Sequence, residues 1–230
     1  MGMKSLSTLT VSAIFSLLFS LQSACAQQSA SRPDSVLVTV QFGSANKELN
    51  QLMTRVMRIE KLHFEAHNPS FAGKRFHLTY QEYKNGVAEP EKELVGNVAR
   101  LTSFDKEGNF LMDAFSRQAT EGSIENQFLF AGGMTTKAFK PLAGKADQYS
   151  LRSDIWPYKF TEKAVTADAL ATAGQKFPLG KKVPFLVYTL PYEEDGYMLY
   201  CSLAQSKVPV SDWYKKFKVA HFVVYNLVIE

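Results

Sequence analysis

Two of the chain's four histidines, His63 and His67, flank Glu65 in the stretch Leu62–His67, and a third, His77, follows. If the stretch is extended, His63, Glu65 and His67 share one face while Leu62, Phe64 and Ala66 share the other, because side chains alternate along a strand. Imidazole, carboxylate and imidazole on one face form a ligand set for zinc or a similar divalent metal, with His77 as a fourth ligand from a neighbouring strand. If the stretch is helical, His63 and His67 stand one turn apart, Glu60 lies one turn earlier, and Glu65 points elsewhere. Both conformations bring the two histidines together. The metalloprotease pattern H-E-x-x-H is excluded, since Phe64 holds the glutamate position. The plainer reading is a solvated, charged helix end, where the dipole favours histidine.

Other chemistry-bearing residues are sparser. His221 alternates with valines in "VAHFVVY", which suits a packed, hydrogen-bonded residue better than a catalytic base. The acidic groups Glu193-Glu194-Asp195 and Glu121 to Glu125 lack the twelve-residue calcium-loop pattern. Neither G-x-S-x-G nor a phosphate or dinucleotide loop occurs. Trp156, Tyr158, Trp213 and Tyr214 form two local aromatic clusters that suit a recognition surface for protein or glycan. A formal charge of +4 with only short basic clusters, "GKK" and "YKKFK", gives no footprint for nucleic acid.

The elements that position these residues are mostly strands. Ser35–Phe42 is rich in valine and bounded by turn formers. Next, Leu49, Leu52, Met53, Val56 and Ile59 recur at helical spacing, which predicts an amphipathic helix across 44–67, capped by Ser44 and ended by Asn68-Pro69. Alternation returns at 74–83, followed by an Asn85-Gly86 turn. Segments 126–133, 149–156, 182–192 and 196–205 read as strands, the last two forming a hairpin around "EEDG". "SDWYKKF" reads as a helical turn capped by Ser211, and 218–230 as a central strand apolar on both faces.

Residues 1–26 carry Lys4, an apolar run from Leu6 to Leu21, and the small-residue segment Ala24-Cys25-Ala26. This is the pattern of a secretory signal peptide. It also resembles a bacterial lipoprotein signal, which implies lipid modification of Cys25; Gln22 stands where such signals usually place leucine. Both routes place the mature chain outside the cytoplasm, in the periplasm, secreted, or held at the outer membrane by an N-terminal lipid. Cys201 then has no cysteine partner within the chain and reads as a buried thiol.

With 46% hydrophobic residues, positions 27–230 can fill one β-rich domain. The expected fold is an antiparallel β-sandwich with one amphipathic helix; the alternative is α+β, an antiparallel sheet packed against the 44–67 helix. The expected function is a non-enzymatic cell-envelope or secreted module binding protein or glycan. The alternatives are a metal-dependent hydrolase built on His63, His67 and His77, and a structural subunit of an envelope assembly. No cofactor is expected beyond such a metal.

Overall fold

The last strand explains much of the architecture. The computed structural model describes residues 34–96, 102–119, 122–153, 174–200, 206 and 208–230. In chain order its strands are β1 (Ser35–Phe42), β2 (Glu60–His67), β3 (Phe76–Lys84), β4 (Val87–Ala88), β5 (Lys92–Val95), β6 (Asn109–Gln118) and β7 (Ile124–Phe130). They continue with β8 (Gly133–Phe139), β9 (Ser150–Ser153), β10 (Gln175–Pro178), β11 (Val183–Thr189), β12 (Tyr192–Glu194), β13 (Tyr197–Leu199) and β14 (His221–Ile229). Strand β14 lies between β3 and β11 and is buried along nearly its whole length. Its odd-numbered side chains face the core: the ring of Tyr225 lies 4.8 Å from that of Phe128 on the other sheet. Its even-numbered side chains face outward under a cover, with Phe222 stacked on Tyr83 at 4.7 Å and packed against Trp213 at 5.0 Å.

The described residues are mostly β, with antiparallel sheets and two short helices. One sheet runs β10-β1-β2-β6-β7-β8; the other runs β4-β3-β14-β11-β9, with β5 also on β3; among the described strands β12 and β13 pair only with each other. The two large sheets contribute to one apolar core. Phe64 meets Phe185 edge-on at 5.1 Å, and Phe76 meets Phe110 at 4.9 Å, each pair joining one sheet to the other. Full burial of such a ring stabilises by roughly 2–3 kcal/mol before its lost freedom is counted. A polar bond crosses this core from Asn126 Nδ2 to the Tyr225 hydroxyl at 2.6 Å.

The predicted long helix breaks early. Helix α1 covers only Lys47–Gln51, and a π-helical turn carries the chain through Leu52–Val56. Asn46, not Ser44, caps it, its side chain accepting from the Leu49 amide at 3.0 Å. Arg58 then takes a left-handed conformation (φ 53°), a disfavoured geometry for a side chain with a Cβ, and Ile59 leads into β2. The reason is competition from the sheet. From Glu60 onward the sequence has a two-residue period, with Leu62, Phe64 and Ala66 buried, and β2 pairs along both edges, with β1 and with β6. A helical extension would forfeit both ladders. Of the predicted apolar stripe only Met53 is buried, while Leu49, Leu52 and Val56 are exposed.

Other turns fall as their chemistry requires. Asn85 (φ 50°) and Gly86 (φ 82°) close the β3–β4 hairpin, and Asp195 (φ 53°) and Gly196 (φ 80°) close β12–β13. The second hairpin is smaller than the sequence suggests, because β11 pairs instead with β14 and β9. Helix α2 covers Trp213–Phe217; its N-cap position is Asp212, with no side-chain capping bond. No helix among the described residues is long and apolar enough to cross a membrane.

Candidate functional site

The extended form of Leu62–His67 places His63, Glu65 and His67 on the outer face of β2. His63 Nδ1 bonds Asp113 Oδ1 at 2.7 Å across the ladder, and Lys61 shares that carboxylate at 3.1 Å. His67 Nδ1 bonds Asn109 Oδ1 at 2.8 Å, and Glu65 Oε2 is 4.0 Å from His63 Nε2. His77 is on β3 in the other sheet, near Glu93 and Glu230 at 3.6 and 3.7 Å, so no ladder brings it to the β2 pair. Among the described residues no group of three or more His, Cys, Asp or Glu side chains is placed to hold a metal ion.

The aromatic clusters divide. Trp213 is buried, its indole Nε1 donating to the Val208 carbonyl at 3.0 Å; it covers the outer face of β14 and offers no recognition surface. That cover is the consequence of a strand apolar on both faces. Tyr214 is exposed beside the Gly86 turn. Trp156, Tyr158, Cys25 and Cys201 lie outside the described residues.

A cleft of about 450 Å³ opens where the start of β2 and the end of β6 approach β9 and β11. Strand parity builds it. Glu60 has the same parity as Leu62, Phe64 and Ala66, so it points inward, but at the strand's first residue, where the apolar layer gives out. Opposite it in the ladder is Ser116, the inward residue near the end of β6. Glu60 reaches across to the other sheet: its carboxylate accepts from the Ser150 hydroxyl and from the Leu151 amide at 2.7 Å, with Arg152 Nη1 at 3.6 Å. Burial is the dominant influence and pushes the Glu60 carboxyl above the ordinary glutamate range, against the lowering effects of Ser150, Leu151 and Arg152. Arg58 and Arg117 line the same cleft, as do Gln118 and Asp147; Arg117 is held by Glu125 through Nε and Nη2 at 3.1 and 3.0 Å.

Two stacked tyrosines, Tyr149 and Tyr188, form the floor, with centroids 5.6 Å apart and planes 12° apart. Burial raises the phenol of Tyr149 to about 12 and that of Tyr188 further, so both stay protonated. Behind Tyr149 runs a buried relay. The Leu142 amide donates to the Tyr149 oxygen at 3.2 Å, Tyr149 bonds His221 Nδ1, and His221 Nε2 bonds Glu82 Oε1 at 3.0 Å. The tautomer with a proton on His221 Nε2 satisfies each donor once: Tyr149 O–H gives to Nδ1, and Nε2–H gives to the carboxylate. His221 is 0% exposed, which fits the packed, hydrogen-bonded role its valine neighbours suggest.

The raised Glu60 pKa carries a testable sign. Folding holds this proton more tightly than the unfolded chain does, so the group's drag on stability is absent below the ordinary carboxyl range. It grows as pH rises through the folded value. Glu60→Gln, which cannot ionise, is expected to gain melting temperature relative to wild type between about pH 4 and about pH 8. An equal difference at both pH values would show that Glu60 titrates normally.

No family model matches this chain, and comparison with curated proteins and with solved structures likewise finds no match. The cleft itself was within reach of sequence reasoning: counting back from Leu62, Phe64 and Ala66 assigns Glu60 to the inner face.

Proposed function

We propose that this chain is an exported, non-enzymatic binding module, its two large sheets closed as a β-sandwich, that takes a polyhydroxylated ligand of the glycan class in the Glu60 cleft. The observation behind this reading is the cleft's lining. Arg58, Glu60, Arg117 and Gln118 are planar groups that present paired donors or acceptors, which suits vicinal hydroxyls. A volume of about 450 Å³ lies in the ordinary range of ligand pockets. A carboxyl with a raised pKa can donate to an ether or hydroxyl oxygen as well as accept. Export is supported by the pattern of residues 1–26.

The test is calorimetric titration of the purified protein with neutral oligosaccharides and with their uronic-acid counterparts. Saturable binding of at least one class is expected, with a Kd between about 1 μM and about 1 mM. Arg58→Gly is the diagnostic variant. Glycine accepts the left-handed backbone there, so the melting temperature should hold within about 2 °C while affinity falls at least about tenfold. The absence of saturable heat with every sugar would end the glycan reading, as would binding that Arg58→Gly and Glu60→Gln leave unchanged.

A further inference from the structure

Among the described residues the β12–β13 hairpin pairs with neither large sheet. Its root is fixed by Tyr192, whose ring packs on Phe217 of α2 at 5.0 Å. Beyond the root it exposes large apolar side chains: Tyr197 is 71% and Met198 55% accessible. A groove of about 500 Å³ runs between this hairpin and α2. Charges of opposite sign stand on its two banks. Glu193, Glu194 and Asp195 are exposed on the hairpin, and Lys215, Lys216 and Lys218 are exposed on and just after α2. None of these six makes an ion pair with another described residue; Lys216 instead lies over the Phe217 ring at 5.3 Å.

A surface with an apolar centre, one acidic bank and one basic bank is complementary to itself under two-fold rotation. The acidic hairpin of one copy then meets the basic helix of the other, twice, and Met198, which lines the groove, is covered in the middle. We propose that this face binds a second copy of this chain, forming a symmetric dimer. A partner of single charge would leave one bank facing a like charge, which is the reason to prefer a second copy. The inference is independent of the glycan reading, because the Glu60 cleft shares no lining residue with this groove.

Charge-swap complementation tests it. Sedimentation velocity on the full protein from about 1 to about 100 μM should show a monomer–dimer equilibrium that weakens as salt rises from about 0.05 to about 0.5 M. The double variant Glu193→Lys, Glu194→Lys should weaken dimerisation at least about tenfold, as should Lys216→Glu, Lys218→Glu, because each sets like charges opposite one another. An equimolar mixture of the two variants should restore the dimer. Met198→Asp, at an exposed position, gives a second route to the monomer should a reversal variant fail to fold. A wild type that stays monomeric throughout would overturn the proposal. So would a dimer indifferent to the reversals and to Met198→Asp, or a mixture that restores nothing.

Discussion

Glu82→Ala is expected to destabilise the protein by roughly 3 kcal/mol, because it removes the acceptor on which a buried chain of donors ends. The Glu82 side chain is only 12% exposed. It accepts from His221 Nε2 at 3.0 Å and faces Lys84 Nζ at 2.9 Å and Lys137 Nζ at 3.3 Å. The His221 bond is the largest single influence; with the two lysines it outweighs burial and holds the carboxyl far below the ordinary range. Alanine would strand the N–H of His221, which is 0% exposed, and leave Lys137, itself only 13% exposed, with the Tyr80 and Phe139 rings and the Ala138 carbonyl. For a domain of about 200 residues the expected fall in melting temperature is about 6–12 °C. The pH dependence follows from the depressed value. The carboxylate's contribution is complete above the ordinary glutamate range and is lost as pH falls below it toward the folded value. The gap between wild type and Glu82→Ala should therefore narrow between about pH 5 and about pH 2. Glu82→Gln keeps an acceptor for His221 but not the charge toward the lysines, so it should fall between the two, with a gap to wild type that narrows in the same way and a gap to Glu82→Ala that stays constant with pH. A Glu82→Ala protein as stable as wild type would mean that the relay contributes nothing.

The relay and the cleft illustrate what the sequence carries and what it withholds. Local periodicity is legible: the valines of β1, the Asn85-Gly86 turn and the two-faced apolar run of β14 each announce themselves within a dozen residues. The helix was overextended because Leu49 to Ile59 obeys a helical period, while the two-residue period that replaces it begins at Glu60, a polar residue that gives no apolar signal. The Leu62–His67 ambiguity has the same root, since His63 and His67 share a face in either conformation. What decides it is pairing with β1 and β6, information that lies 20 to 52 residues away in the chain. Trp213 is a second case. A tryptophan beside a tyrosine reads equally well as a platform or as a plug, and only the need of Phe222 for an outer cover selects the plug. Pairings such as Tyr149 with His221 or Glu60 with Ser150 join residues that are distant in sequence, so no local pattern predicts them.

The same parity argument supports a sharper prediction on β7. Phe128 is 0% exposed and packs against Tyr225 of the opposite sheet, whereas its neighbour Leu129 points outward and is 45% exposed. Phe128→Ala should cost about 3–5 kcal/mol, combining lost burial with a cavity between two sheets that cannot both collapse into it. Leu129→Ala should cost less than about 1 kcal/mol, since nearly half of its surface stays in water and its loss opens no enclosed cavity. Pairing with β6 on one side and β8 on the other fixes this register, so a slip of one residue would exchange the two outcomes. Urea unfolding of both variants makes the comparison, with equal slopes expected because neither change alters the unfolded surface by much. The contrast also bears on Asn126, the inward residue two before Phe128, whose Nδ2 donates to the Tyr225 hydroxyl. If truncating Phe128 lets Tyr225 shift, that bond lengthens as well, and Asn126→Ala combined with Phe128→Ala should lose less than the sum of the two single changes. Strict additivity would place the two interactions in separate parts of the core, and a Leu129→Ala loss as large as that of Phe128→Ala would contradict the register itself.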